Sequence, residues 1–456
     1  MPRFRLDGSG PLHPWCTALR ALPLVLVVVL PVLQLWRHFQ DLQVYPFADE
    51  WLYVTVGAGG TGFPWAWLWE QHGDHRIPLQ KASQWLLLDA SDLDFRSLVI
   101  LNLCVAAATA LLLLQTARNL RGRSSPWDAM VPLLLFNPMA GHVMWGFHLQ
   151  FLSSVFFTCL FAWAILRPRL TDAHVYAGFS TIVLCSLCGL NGLVQGGLML
   201  LLLWFACPLR RREVKFRVVF CSTALLLACL WSSWSRTGAQ QPAPGATELF
   251  QFFEGLLGAS LLPPHEGRGP ALLVGMSTGT AMLAAAYPRR GTDVPRTSWI
   301  ALLLNIAVLL QLAAVAWGRA RYQGGWHPTL AMHYGVLAML LPITAWLALA
   351  ARGHSFVAQV LGIAFVLTFG TGWMQAEQWR IGYTREQAAA KAQAYLDIKN
   401  QNLAIATVIE RNAVDYWSND PTARAVMAQG LPILREAYRR KWPDPAAAGP
   451  DHQHDQ

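Results

Sequence analysis

Long apolar runs set the terms for this chain. They lie near residues 20–36, 97–117, 128–140, 150–166, 173–190, 192–207, 218–234, 270–287, 298–317, 329–350 and 355–374. In hydrocarbon each backbone N–H and C=O has to find its partner inside the segment, so runs of this kind fold as transmembrane helices. Composition agrees: 54% of residues are hydrophobic and 13% charged, against roughly a quarter charged in a soluble domain. The chain reads as an all-α polytopic membrane protein with about eleven transmembrane helices. The first run is an anchor, because no small-residue cleavage site follows residues 25–35 and the next residues are Trp36, Arg37 and His38.

Loop charge orients the bundle. With the N-terminus in the cytoplasm, seventeen Lys and Arg fall in inside loops and eight in outside loops before residue 375, the bias of the positive-inside rule. An odd number of crossings then places the C-terminal region outside. The organisation expected is a cytoplasmic N-terminus over 1–19, a transmembrane domain over 20–374 with a first outer loop over 37–96, a helical extracytoplasmic region over 375–441 and a disordered tail over 442–456. Beyond residue 374 ten basic and ten acidic side chains balance. The net charge of +9 is spread over loops rather than gathered on one soluble face, which argues against nucleic acid. The location implied is the inner (plasma) membrane, with membrane lipids as surroundings.

Eight cysteines sit almost entirely in apolar runs, where Cys behaves as a small hydrophobe. Cys185 and Cys188 form a C-x-x-C inside such a run, with no second pair, and read as packing residues.

Polar chemistry gathers outside. Eight of the sixteen acids before residue 375 lie in the first outer loop: Asp41, Asp49, Glu50, Glu70, Asp74, Asp89, Asp92 and Asp94. Tryptophans at 65, 67, 69 and 85 suit helices lying in the headgroup layer. Asp49 and Glu50 follow the first helix among aromatic residues, where partial desolvation raises a carboxylate's pKa and makes it a better base. The competing reading is that both acids cap the next helix and face water. In the run Glu70-Gln71-His72-Gly73-Asp74-His75-Arg76-Ile77-Pro78, Arg76 can grip a phosphate at headgroup depth, or simply contact lipid. His72, Asp74 and His75 have the spacing of a short metal site, with a hydrogen-bonded cluster that orients the loop or holds substrate as the stronger reading. His148 and Gln150, at the outer start of the fourth run, either line a cavity or sit at the interface. Asn191 between glycines reads as a turn. Arg319 and Arg321-Tyr322 end the ninth run on the outer side, against the general charge trend. An anionic partner would explain them, with Arg321-Tyr322 reaching inward.

The acidic pair Asp49-Glu50, the stretch Asp74-His75-Arg76-Ile77-Pro78 and the late Arg321-Tyr322 resemble the pattern of GT-C-type glycosyltransferases, in particular bacterial membrane proteins of surface-polysaccharide loci. The resemblance covers roughly residues 15 to 375. It departs from the pattern where Asp74 replaces a Glu and where Lys81 is offset from a later Arg. It implies a polytopic enzyme that takes a sugar from a polyprenyl-phosphate donor and passes it to a lipid-linked glycan, polysaccharide or other hydroxyl acceptor on the extracytoplasmic face. By that resemblance Asp49 is the general base and Glu50 its understudy or orienting partner. Arg76 and Arg321 hold the lipid phosphate, the displacement inverts the anomeric centre, no nucleotide cofactor is needed, and a divalent metal serves only some branches. His72, Asp74, His75, His148, Gln150 and Tyr322 complete the substrate-binding set. Two rivals use similar residues: a transporter or flippase of lipid-linked sugars, which needs the arginines and no base, and an O-antigen polymerase or ligase, which relies on paired arginines in a large later loop. The loop over 235–269 carries only Arg236 and Arg268.

Overall fold

The computed structural model describes residues 14–38, 44–57, 63–73, 75–138, 140, 145–167, 169–235, 243–261, 269–287, 294–320, 334–353, 356–416 and 421–441. Helices account for nearly all of this backbone, and the one β-bridge among the described residues joins His72 to His75. Helix α1 (Pro14–His38) leads to three short helices, α2 (Trp51–Gly57), α3 (Trp65–Trp69) and α4 (Pro78–Ala90). The bundle continues with α5 (Arg96–Arg121), α6 (Met130–Leu135), α7 (Leu149–Ile165), α8 (Asp172–Ser186), α9 (Leu190–Ala206) and α10 (Val214–Ser232). Next come α11 (Ala246–Gly258), α12 (Gly269–Ala286), α13 (Arg296–Arg319), α14 (Leu340–Ala351) and α15 (Phe356–Lys399), and finally α16 (Ile405–Tyr416) and α17 (Pro421–Lys441).

Among the described residues, eight segments are long and apolar enough to cross a bilayer: those of α1, α5, α7, α10, α12, α13, α14 (extended back to Tyr334) and α15. The protein is therefore an all-α polytopic membrane protein. Three of the expected runs fall short of that length. Helix α9 has 17 residues and α8 has 15. The run near 128–140 is not one helix: a 3-10 turn over Pro126–Ala129 feeds the six-residue α6, which stops at Phe136. Proline explains the break. Pro132 is tolerated in the first turn of α6, whereas Pro138 lacks the N–H that a continuing helix would use.

Side chains sort as lipid demands. Leu24, Val25, Val28 and Val32 of α1, and Val218, Leu225 and Leu226 of α10, are exposed on the outside of the bundle, a display that only a bilayer can cover. Helix α14 is the axis, with 94% of its spanning window buried. Buried amides pin its neighbours: Asn305 Nδ2 donates to Leu341 O at 2.8 Å and to Thr344 Oγ1 at 2.7 Å. At the end of the bundle far from the first outer loop, Arg121 pairs with Asp128, which also accepts from Trp346 Nε1 at 3.0 Å.

A second apolar core lies at the opposite end. It joins Trp51, Tyr53, Val54, Ile77 and Leu88 of the first outer loop to Ile398, Val408, Met427, Leu431 and Tyr438 of the C-terminal helices. The C-terminal region thus packs on the first loop. Helix α15, 44 residues long, runs without a break from the bundle into this region, so residue 375 falls inside a helix rather than at a joint. Helix α11, within a stretch read from sequence as loop, buries Phe252 and Leu256.

Candidate functional site

The site starts at a strained residue. Ala48 has φ +50°, a left-handed conformation that a residue with a Cβ adopts at a cost of about 1–2 kcal/mol, and Asp49 and Glu50 follow in a 3-10 turn. The two acids part company there. Glu50, 3% exposed, turns inward. Its Oε2 accepts the Phe47 amide at 3.0 Å and its Oε1 the Phe147 amide at 3.2 Å, tying the loop to the start of α7. Burial pushes its pKa up to about 8, although the amides pull the other way. Gly146 completes the fit, since a Cβ there would lie 2.8 Å from Glu50 Oε1 and 2.3 Å from Leu98 Cβ. Asp49 stays partly exposed, with Oδ1 3.6 Å from His72 Nε2.

His72 and His75 close a tight turn by exchanging backbone hydrogen bonds of 2.7 and 2.8 Å, with Gly73 at φ +52° inside it. The turn aims their rings at different partners. His72 faces Asp49 and tilts against Phe147, ring centres 5.0 Å apart. His75, 9% exposed, receives a hydrogen bond from Arg319 Nη2 at 3.0 Å. Among the described residues no group of three or more His, Cys, Asp or Glu is arranged to hold a metal.

Arg319 is the last residue of α13, and its guanidinium also lies over the Tyr334 ring at 5.6 Å. Beside it is a cavity of about 490 Å³, lined by His75, Asn191, Gln311, Arg319 and Tyr334 together with Trp231, Trp234 and Trp317. That is the size of a small-molecule site. Trp231 and Trp317, which belong to the spanning helices α10 and α13, are about half exposed.

The remaining sequence candidates fall elsewhere. Arg76 lies behind this wall, its Nη2 donating to Ser233 O at 2.7 Å just past the end of α10. Its Nε is buried without a partner, and it lines a separate crevice with Trp69, Pro78 and Gly189. His148 and Gln150, 3% and 1% exposed, are packed beneath rather than on the cavity surface. The His148 ring meets Trp145 edge-on at 4.7 Å. Asp74, Arg321 and Tyr322 lie outside the described residues.

Sequence reasoning did not single out Gln311 or Lys81, and it placed Arg319 behind Arg321. Gln311 was visible as an uncharged polar residue within an apolar run. Lys81, 2% exposed, donates to Trp67 O at 2.7 Å and Glu70 O at 2.8 Å and stands over the Trp67 ring, holding α3 against α4. Burial lowers its pKa to about 8.

No protein-family model matches this sequence, and no curated protein does. Among solved structures, the chain is similar to the crystal structure of ArnT from Cupriavidus metallidurans in the apo state, with a TM-score of 0.46 and 16% identity over 93% of this chain and 76% of that one.

Proposed function

We propose that the protein is a membrane glycosyltransferase that moves a sugar from a polyprenyl-phosphate donor to a hydroxyl of a lipid-linked glycan, polysaccharide or other acceptor on the extracytoplasmic face. One observation carries this reading. A partly exposed carboxylate, Asp49, is linked through the His72–His75 turn to Arg319 in the wall of a cavity lined by tryptophans of two spanning helices. The donor enters from the lipid side with its phosphate at Arg319, where the guanidinium neutralises charge as the phosphate leaves. The acceptor comes from the aqueous side. Its hydroxyl oxygen attacks the anomeric carbon, the bond to the phosphate oxygen breaks with inversion, and Asp49 takes the hydroxyl proton. Glu50 sets the loop that carries Asp49.

In this assignment Arg319 takes the phosphate role that the resemblance implied for Arg321, and Arg76 holds the end of α10. The protein's surroundings are membrane lipids and its site serves no nucleic acid. The test is Asp49→Asn in proteoliposomes charged with polyprenyl-phosphate hexoses and lipid-extracted acceptors, following release of polyprenyl phosphate. A drop of about 10²–10⁴ in kcat with little change in KM is expected. Wild-type turnover in the variant would end the base assignment.

A further inference from the structure

The cavity floor carries a chemical signature of its own. Gln311, fully buried, donates from Nε2 to the Asn191 backbone oxygen at 3.2 Å, which fixes its amide and leaves Oε1 as a buried acceptor with no partner. Asn191, 5% exposed, presents Nδ2 as a buried donor with no partner. Both residues line the cavity. Buried polar atoms without a protein partner are costly unless a group in the cavity meets them, and one acceptor beside one donor is what hydroxyl groups satisfy, since each can give and take a hydrogen bond.

Charge narrows the class further. Gln311, Val315 and Arg319 fall at i, i+4 and i+8 of α13 and form one stripe on the cavity wall, so neutral amide and guanidinium face the same space. No carboxylate lines the cavity among the described residues. An ammonium group on the sugar would lie against Arg319 with only the phosphate that already pairs with that arginine as its counter-charge. A carboxylate on the sugar would compete with the phosphate for that arginine. Trp231 and Trp234 add flat apolar faces for the ring's C–H edges.

From this we infer that the transferred sugar is uncharged and that Gln311 and Asn191 select it through its hydroxyls. The inference rests on the glycosyltransferase reading for its donor, and binding tests it apart from turnover. The full-length protein in nanodiscs is titrated with polyprenyl phosphate and with its glucosyl, galactosyl, mannosyl, glucosaminyl (free amine) and glucuronyl esters. At least one neutral ester is expected to bind about tenfold or more tighter than bare polyprenyl phosphate, the amine and the uronate. Gln311→Leu should erase that advantage while binding bare polyprenyl phosphate as the wild type does, and Gln311→Glu should move the preference toward the amine. Asn191→Ala is the second variant should Gln311→Leu lose the bare phosphate as well. Equal affinity for charged and neutral esters, or an advantage untouched by these changes, would overturn the assignment. A neutral-sugar preference with no transfer to any acceptor would instead count against the transferase and leave this site standing.

Discussion

Arg319 Nη2 and His75 Nε2 meet at 3.0 Å, joining residues 244 positions apart in the chain. An arginine only donates, so this ring nitrogen accepts and carries no proton. The contact brings the end of α13 to the His72–His75 turn and so links the Asp49 loop to the cavity.

Arg319→Ala removes the charge-assisted partner in that cavity. Affinity for polyprenyl phosphate in nanodiscs should fall about ten- to hundredfold. Arg319→Lys should fall in between, because a point charge replaces a planar fork. Unchanged affinity in Arg319→Ala would remove the phosphate role.

Glu50 predicts a pH dependence of stability. Its carboxyl titrates near 8 when folded and near 4.5 when unfolded, so the native state holds the extra proton between those values. Its contribution is therefore complete below about 4.5 and is lost as pH rises toward 8, at no more than about 1.4 kcal/mol per pH unit. Thermal unfolding in detergent across this range should have a slope that Glu50→Gln flattens. Because Gln sets an NH₂ group against one of the two backbone amides, the variant should also be less stable at pH 5. An identical slope in both proteins would refute the shift.

Gly189 has φ +92° and ψ −176°, a region open almost only to glycine. A Cβ there would also sit 3.3 Å from His75 Nδ1 and 3.4 Å from Gln150 Oε1. Gly189→Ala should destabilise the protein by about 1–3 kcal/mol and weaken polyprenyl-phosphate binding by displacing His75. Calorimetry and titration on one preparation would read both effects, and a neutral result in either would contradict the placement.

Leu431, fully buried, packs in the outer core with Trp51 and Val54. Truncation to Ala should cost about 2–5 kcal/mol. The loss is local: amide exchange should quicken over Trp51–Gly57 and Pro421–Lys441 while α5 keeps its protection. Exchange rates in α2 that do not respond would mean that the C-terminal helices merely rest on the loop.

Hydropathy alone made most spans legible, because burial in lipid depends on composition more than on register. It failed where length and apolarity dissociate. Pro132 and Pro138 sit in a run apolar enough to cross but unable to stay helical, and α11 is too short for a hydropathy window to separate from loop. The adjacent acids were visible as a pair. Which one turns inward was not, since that is decided by the amide of Phe147, 97 positions away. That Gln311, Val315 and Arg319 share a stripe was readable from helix phase. Contact between residues 394–438 and the first loop depends on long-range packing that no local pattern encodes.

Helix α15 spans 44 residues, roughly 66 Å at the α-helical rise, about twice the hydrocarbon thickness of a bilayer. Its lower part is gripped by fatty acyl chains and its upper part carries α16 and α17. Such a rod joins the two: a thinner or thicker membrane that changes its tilt is expected to move the C-terminal helices, and with them the loop they pack on. Reconstitution in lipids of graded acyl length would then tune turnover with no residue altered.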